Sequence, residues 1–310
     1  MEKKVHVEAL NLRHLRAWAV VVDEGSITAG AKKLGVSQPA LSQQLKALED
    51  FFGGHLLERL PRGTKPTALG TSLLAEARAT LAVSERLLRR AVPSDGLFSG
   101  MLEIAALPTL VDGLMMEPIK EWQSLHPKVS IRIREFAMQQ ALIEEFELGL
   151  ADVALGVLPP NWSGRSHSLG WDEFVVILPQ NHPLHHSKEP VDLRELKDDR
   201  WMLYGKSQGL SDYMIGACAW AGFRPIEAVR TSQARVAIQL ACAGMGNALV
   251  PRLNVPVELK GFAKQLKQRF AWEIAALSRS DFSDAARNFV ALIDTGRLIE
   301  KPEGAISLLG

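Results

Sequence analysis

Residues 26–49 read SITAGAKKLGVSQPALSQQLKALE, and this stretch predicts two helices joined by a tight turn. Gly35 is expected to end the first helix, because the left-handed backbone of a helix C-terminus costs glycine little. Ser37 is a natural N-cap for the second helix, and Pro39 falls in its first turn, where proline is tolerated. The helical spacing of three leucines predicts the buried face of the second helix: Leu41, Leu45 and Leu48.

The face left exposed on the second helix is polar without being mainly charged. Ser42 and Gln43 carry groups that hydrogen-bond base edges or phosphates. An ordinary surface hairpin, the alternative interpretation, would favour Glu and Lys there. We therefore predict a helix-turn-helix whose second helix enters the DNA major groove. The DNA-contacting positions predicted on the two helices are Thr28, Ser37, Gln38, Pro39, Ser42, Gln43 and Lys46.

Flanking segments complete a small DNA-binding unit over residues 1–67. Asn11 caps a predicted first helix that Gly25 closes. After this helix pair, residues 55–60 and 65–67 predict two short strands around a turn, the pattern of a wing. Three basic residues of this wing are placed within reach of the sugar-phosphate backbone: Arg59, Arg62 and Lys65. The alternative for this segment is a solvated basic loop.

The ordered set of motifs in this region resembles the N-terminal domain of LysR-type transcriptional regulators. The matching segments are residues 26–31, 37–42, 48–49, 53, 56–59, 62–63 and 67–70. Gly30 stands where that family usually has Ala, at an expected cost of about 1 kcal/mol of helix stability. Leu57 stands where the family usually has Phe.

A helix of more than twenty residues is predicted from Thr67 to about Arg90, in the segment 68–96. Its apolar positions lie close to a heptad seam, and the resemblance implies that this is a dimerising linker helix. Packing against its own domain is the alternative, which is less favoured because the adjoining units look complete. The predicted interface residues are Leu69, Leu73, Ala77, Leu81 and Leu88.

Composition indicates a folded protein of more than one domain. The chain has 310 residues, 47% of them hydrophobic, and no run of 18 apolar residues. Residues 1–92 hold 14 Lys and Arg against 9 Asp and Glu, which suits contact with phosphates at one end only. The N-terminus lacks an apolar signal segment, and two cysteines cannot form a disulfide framework. We therefore expect a cytoplasmic protein with no membrane contact.

Residues 97–310 alternate between predicted strands and helices, among them a helix over about 110–126 and a strand that starts at Phe174. This alternation indicates α/β lobes with largely parallel sheets. Trp18, Trp122 and Trp220 lie on apolar helical faces and are predicted to be buried in the core. We place the first lobe at about 97–168 plus 269–310 and the second at about 169–268. This part resembles the LysR-type effector domain, which implies the two-lobed architecture of periplasmic binding proteins. The markers are weaker here, and Asn247 replaces a usually apolar residue of the motif at 244–251.

Ligands of paired α/β lobes bind at the carboxyl ends of strands, near helix N-termini. That rule selects a set of candidate effector contacts: Thr109, Phe136, Met138, Ser207, Gln208 and Thr231. Each by itself is more often a plain helix cap than a ligand contact, but the converging set favours a ligand site. His182, His185 and His186 are the one cluster that suggests metal, but they lack a regular ligand spacing. We predict no metal site, no cofactor and, because no catalytic motif is present, no enzymatic activity.

These observations predict a DNA-binding transcriptional regulator that responds to a small-molecule effector. A dimer would present two recognition helices to successive major grooves, and the resemblance implies tetramers built from such dimers. Two alternatives stay open: a small-molecule binding protein with an accessory helical head, and a repressor that needs no ligand.

Overall fold

The computed structural model describes residues 10–61, 63–91, 100–294 and 296–308. The chain divides into two units, residues 1–93 and 94–310, which we call the head and the body.

Three helices form the core of the head: α1 (Leu12–Glu24), α2 (Ile27–Leu34) and α3 (Gln38–Phe52). The predicted caps Asn11 and Ser37 each accept a hydrogen bond from a first-turn N–H, and Ser26, which was not predicted as a cap, does the same for α2. Each helix ends at a left-handed glycine, as predicted for Gly25 and Gly35. The buried leucines of α3 pack around Trp18, which is fully buried as expected.

The predicted wing is a hairpin of two antiparallel strands, β1 (Leu57–Leu60) and β2 (Gly63–Pro66). It is tied to the turn between α1 and α2 by a hydrogen bond from the Thr64 N–H to the Gly25 carbonyl, 2.8 Å long. Gly63 has a φ of +102°, and a Cβ there would lie 2.3 Å from the same carbonyl oxygen. Glycine is therefore required where the wing meets the helices.

Helix α4 (Ala68–Ala91) begins at the predicted cap, because Thr67 Oγ1 accepts the Gly70 N–H at 3.0 Å. The expectation that α4 does not pack against its own domain is wrong. Ala77 is only 6% exposed and belongs to the core of the head, and Leu73 and Leu81 pack against that core. The three-helix core was not complete without α4, since α1 buries part of its apolar surface against it.

The first lobe of the body contains a five-stranded sheet in the order β4-β3-β5-β11-β6. Strands β3 (Gly100–Ala106), β4 (Val129–Glu135) and β5 (Val153–Val157) are parallel. Strands β6 (Arg165–Ile177) and β11 (Ala271–Ser278) run antiparallel to their neighbours.

The second lobe is built on the far half of the same β6 strand. Strands β9 (Ala248–Pro251) and β10 (Ala263–Gln265) pair with β6 at positions 174–177. Parallel strands β7 (Arg200–Tyr204) and β8 (Ile226–Thr231) reach β9 through a bridge between Trp201 and Asn247. The strand expected to start at Phe174 therefore starts at Arg165, because one long strand serves both sheets.

Helices cover these sheets: α5 (Pro108–Leu110), α6 (Met116–Leu125), α7 (Gln139–Glu147), α8 (Gly209–Trp220), α9 (Ala234–Cys242) and α10 (Asp284–Ile293). The single helix predicted over residues 110–126 is interrupted by a π-helical turn, Val111–Met115. A short 3-10 turn, Arg252–Asn254, packs against the π-helical turn. A Cβ on Gly113 would lie 3.0 Å from Leu253 Cβ, so the two turns are in close contact.

Two details of the core differ from expectation. Trp220 was predicted to be buried, yet it is 46% exposed; it lies off the buried stripe of α8, with its ring against Phe270 and the Arg194 guanidinium. Asn247 is fully buried, and its Nδ2 donates to Asp199 at 2.8 Å, so a local hydrogen bond compensates for the polar side chain. Trp122 is core, as predicted.

Candidate functional site

The exposed face of α3 is the candidate DNA-binding surface. Gln38, Pro39, Gln43 and Lys46 are exposed, and Ser42 is half-buried at the edge of this face. The leucines on the opposite side are buried, so the helix is anchored by one face and presents the other. Ser37 is exposed too, but its Oγ accepts the Ala40 N–H at 3.3 Å and thereby caps α3. Thr28 is exposed at the first turn of α2.

The wing adds positive charge that is partly neutralised. Lys65 Nζ lies 2.7 Å from Glu58 Oε1, its cross-strand partner, and both side chains are about half exposed. An exposed pair of this kind contributes little stability, so a phosphate can compete for the ammonium group. Arg62 and the side chain of Arg59, the other two predicted phosphate contacts, lie outside the described part of the molecule.

A cavity of about 320 Å³ lies between the two lobes of the body. The first lobe contributes residues of α5, of the π-helical turn and of the start of α7; the second contributes the starts of α8 and α9. Asn254, Tyr213 and Trp272 also line the cavity. Its volume falls at the lower end of the range for small-molecule sites, enough for a compact metabolite.

Two of the six predicted effector contacts, Thr109 and Gln208, line this cavity. The other four, Phe136, Met138, Ser207 and Thr231, are not among its lining residues. In each case a sequence neighbour lines the cavity instead: Ala137 beside Phe136 and Met138, Gln208 beside Ser207, and Ser232 beside Thr231. The cavity is thus lined from the strand ends that the prediction selected, but for these four positions by neighbouring side chains. Phe136 instead packs on the core, and Thr231 Oγ1 accepts the Gln233 N–H at 3.4 Å.

The polar groups that sequence reasoning missed form a network at the wall of the cavity. Asn254 Nδ2 donates to the Thr109 carbonyl at 2.9 Å and to Asp112 Oδ2 at 3.2 Å. Arg235 Nη1 lies 3.4 Å from Asp112 Oδ1, so this ion pair connects α9 of the second lobe with the π-helical turn of the first. No local signal in the sequence brings Asp112 together with Arg235 and Asn254, since more than a hundred positions separate it from each of them.

Beside the cavity, a buried carboxyl group supports the turn that carries Asn254. Asp172 Oδ1 accepts the Leu253 N–H at 3.2 Å, while Oδ2 has no hydrogen-bond partner among the described residues. Burial raises the pKa of Asp172 to about 7, and the negative charge of Glu173 acts in the same direction. The Leu253 N–H, Arg252 and the Trp272 indole oppose this shift in pKa.

Three helix N-termini adjoin the cavity, those of α7, α8 and α9. Their N-cap residues, Met138, Gln208 and Gln233, make no side-chain capping bond. A ligand in the cavity therefore lies beside three helix N-termini. At each of them, the N-cap side chain makes no hydrogen bond to the first-turn amides.

Comparison with known families decides the identity of both units. Residues 12–71 match the model described as "Bacterial regulatory helix-turn-helix protein, lysR family". Residues 95–296, well over half of the chain, match the model described as "LysR substrate binding domain". The chain belongs to the LysR-type family of transcriptional regulators. The predicted family, winged-helix head and two-lobed effector domain are thereby confirmed, as is the function of an effector-responsive DNA-binding regulator.

Curated relatives of this LysR-type regulator cover most of its length. A "Probable hydrogen peroxide-inducible genes activator" of Mycobacterium avium is 31% identical over 294 residues, or 92% of this chain and 93% of the relative. The transcriptional regulator AlsR of Bacillus subtilis is 30% identical over 247 residues, 78% of this chain and 80% of the relative. Among solved structures, a peroxide-bound cysteine mutant of Corynebacterium glutamicum OxyR is similar, with 26% identity, a TM-score of 0.54, and coverage of 92% of this chain and 93% of that one.

The two cysteines of this LysR-type regulator are poorly suited to react with peroxide. Cys218 is fully buried in α8, and burial raises the pKa of its thiol to about 12. Burial also raises the pKa of Cys242 above the ordinary thiol value. The thiolate is the reactive form, and burial keeps both groups protonated at neutral pH.

The histidine cluster is occupied by structural contacts. His182 Nε2 lies 3.0 Å from Asp199 Oδ2, and the buried His185 bonds the Leu178 carbonyl through Nδ1 at 3.1 Å. Within the described ranges, no group of three or more His, Cys, Asp or Glu side chains is arranged to hold a metal ion. The same ranges contain no helix with the length and apolarity needed to cross a bilayer.

Proposed function

We propose that this regulator binds double-stranded DNA through the exposed face of α3 and the wing. We also propose that its activity is set by reversible, noncovalent binding of a small molecule in the cavity between the lobes. The observation that carries the second proposal is the composition of the cavity wall. Residues of both lobes line it, and the Arg235–Asp112 ion pair crosses from one lobe to the other. A ligand that contacts both sides favours one arrangement of the lobes over others by its differential affinity.

Thiol oxidation is the rival means of regulation, because the names of some relatives refer to peroxide. The burial and raised pKa of Cys218 argue against it here. We therefore propose an effector that is bound without a covalent step, and we propose neither a cofactor nor an enzymatic role. We place the protein in the cytoplasm, where its DNA target lies.

A second copy of the chain is the proposed partner of α4. Leu87 and Leu88 are 68% and 67% exposed, and Leu69 is also exposed, so these leucines present apolar surface that the head leaves uncovered. Leu73, Ala77 and Leu81, by contrast, are largely occupied by packing within the head. We propose that the exposed leucines form the dimer interface and that tetramers assemble from such dimers.

The test starts from the DNA. Genomic fragments retained by the full-length protein are sequenced to find the operator, and a metabolite library is then screened for compounds that change the mobility shift. Ala137→Phe should fill the cavity and abolish the response while leaving DNA affinity unchanged, because Ala137 is half-buried at the cavity edge. Ala137→Ser is the matched control and should respond normally.

Each rival has its own outcome in this test. A protein that binds metabolites but retains no specific fragment would be a small-molecule binding protein. Specific DNA binding with no responsive compound would indicate a repressor that acts without ligand. An unaltered response in Ala137→Phe would place the effector site outside this cavity.

A further inference from the structure

The orientation of one buried amide at the cavity wall is fixed by its neighbours. Asn254 is only 4% exposed, and its Nδ2 donates to two groups that can only accept, the Thr109 carbonyl and the Asp112 carboxylate. Exchanging the amide nitrogen and oxygen would place an oxygen against both of these acceptors, so the assignment has no alternative. Asn254 Oδ1 is therefore an acceptor, and it has no hydrogen-bond partner among the described residues.

A second unpartnered polar atom belongs to another residue of the cavity lining, Tyr213. Tyr213 is 5% exposed, and its hydroxyl makes no hydrogen bond within the described part of the chain. Its ring stacks on Phe174 at 5.2 Å between centroids and meets the edge of Trp272 at 4.5 Å. These contacts hold the ring in place, so the hydroxyl cannot turn toward another partner.

Buried polar atoms without partners are rare, because each costs free energy when no ligand or water satisfies it. Three residues of this one cavity carry such an atom: Asn254 Oδ1, the Tyr213 hydroxyl and Trp272 Nε1. The Trp272 indole acts on the Asp172 carboxyl. In a protein that matches a substrate-binding domain, the other two atoms indicate groups that the ligand completes. Asn254 Oδ1 requires a donor, and the Tyr213 hydroxyl accepts or donates.

The charges of the cavity disfavour a carboxylate beside Asn254. Among the described lining residues, Arg235 is the one cation, and it is paired with Asp112 at 3.4 Å. Glu135 adds a second negative charge to the lining. A carboxylate next to Asn254 would face two acceptors, Asn254 Oδ1 and the negatively charged Asp112 carboxylate. The remaining wall is largely apolar, with Val111, Met116 and Leu210 among its members.

We infer that the effector is a largely apolar, compact molecule that donates a hydrogen bond from a hydroxyl or amino group to Asn254 Oδ1, with the Tyr213 hydroxyl as its second polar contact. This inference rests on the proposed effector site. It makes Asn254, a residue of the 3-10 turn, the determinant that selects donor-bearing ligands over carboxylates.

The test uses four probes on one ring, matched in shape: 4-methylbenzyl alcohol, 4-methylbenzylamine, 4-methylbenzyl methyl ether and 4-methylbenzoate. Their dissociation constants for the full-length protein are measured by ligand-observed NMR, and crystal soaks locate each bound probe. The alcohol or the amine should bind in the cavity at least tenfold more tightly than the ether and the benzoate. Which of the two binds more tightly identifies the donor.

Two variants test the assignment to residues. Tyr213→Phe removes only the hydroxyl, and Asn254→Leu replaces the amide by an apolar group of similar size. Each should weaken the preferred probe about tenfold and leave the ether within twofold. A thermal unfolding scan of each variant checks that it folds; should Asn254→Leu fail to fold, Tyr213→Phe alone carries the test.

The outcomes separate this inference from the function on which it rests. If the benzoate binds most tightly in the cavity, or the ether binds as tightly as the alcohol and the amine, the donor requirement is wrong while the effector site stands. If none of the probes binds in the cavity, the inference is overturned. The proposed effector site then stands or falls by the response of Ala137→Phe to the metabolite found in the screen.

Discussion

The backbone N–H of Leu253 donates to Asp172 Oδ1 at 3.2 Å, beside the point where β6 passes from one sheet of the body to the other. The carboxyl group thereby holds the turn that places Asn254 at the effector cavity. Because the Asp172 side chain is buried, its charge state affects both the stability of the body and the position of that turn. A single titratable group is thus coupled to the proposed ligand site.

Asp172→Asn should flatten the pH dependence of stability. Because burial raises the pKa of Asp172 from about 4 in the unfolded chain to about 7, the folded protein holds a proton in that interval that the unfolded chain has released. Protonated Asp172 therefore contributes up to about 4 kcal/mol to the free energy of unfolding. This contribution is fully present below about pH 4 and is lost as the pH rises to about 7.

Urea unfolding of the full chain between pH 5 and 9 measures this effect. The amide keeps the acceptor for Leu253 but does not titrate, so the difference in unfolding free energy between variant and parent should change with pH only up to about pH 7. The comparison uses the slope of the unfolding free energy against pH and not its absolute value. The reason is that replacing the carboxyl group near Arg252 by an amide changes the stability by an amount that does not vary with pH. Parallel curves for the two proteins would show that Asp172 does not titrate in this range.

Gln38→Ala should weaken binding to the operator by about 1–3 kcal/mol without changing the unfolding midpoint. The side chain is exposed at the start of α3, whose core face is formed by the buried Leu41, Leu45 and Leu48. Gln44→Ala is the matched control, because Gln44 is half-buried on the core side of the same helix. Fluorescence anisotropy with labelled operator measures both. Equal losses in the two variants would mean that the exposed face carries no specific contact.

Gly30→Ala should destabilise the head, although helix propensity alone predicts a gain of about 1 kcal/mol. A Cβ at position 30 would lie 2.8 Å from Val21 Cγ2 and 3.3 Å from Val21 Cα. Such overpacking costs about 1–3 kcal/mol. In a Val21→Ala background, which removes the nearer atom, the same change should become neutral or stabilising.

The measurement follows the head alone. Trp18 is the only tryptophan in residues 1–93, so a fluorotryptophan resonance at this position reports urea unfolding of that unit. A gain in stability from Gly30→Ala in the parent background would show that α1 and α2 separate easily. The glycine that departs from the family pattern would then have no packing role.

Local signals predicted the head in detail, because caps, terminal glycines and Pro39 act through neighbours in the sequence. The cavity was predicted only to the level of strand ends. Asn254 lies in a three-residue turn whose position depends on Asp172, Leu253 and Gly113, and no periodicity reports such contacts. Ala77 was assigned to a dimer seam because heptad spacing does not show whether an alanine packs on its own domain or on a second copy of the chain.

Leu87→Asp combined with Leu88→Asp should convert dimers into monomers with a folded head and body. Both leucines are exposed, so the charges cost the isolated chain only some helix stability, whereas at an interface they are buried without partners. Leu12→Asp, at an exposed leucine of α1, is the matched control and should stay dimeric. Sedimentation velocity gives the masses. A dimer that persists in the double variant would exclude this end of α4 from the interface.

Hydrogen peroxide should leave operator affinity unchanged in the full-length protein. Cys218 is fully buried with a pKa raised to about 12, and burial raises the pKa of Cys242 as well, so little thiolate is present at pH 7. Mass spectrometry after brief treatment should find both thiols intact, and anisotropy should give the same affinity before and after. The same treatment and thiol labelling in urea, where both cysteines are exposed, provides the positive control for their reactivity. Rapid oxidation of either cysteine in the folded protein, together with a changed operator affinity, would contradict noncovalent effector control and favour a thiol-based signal.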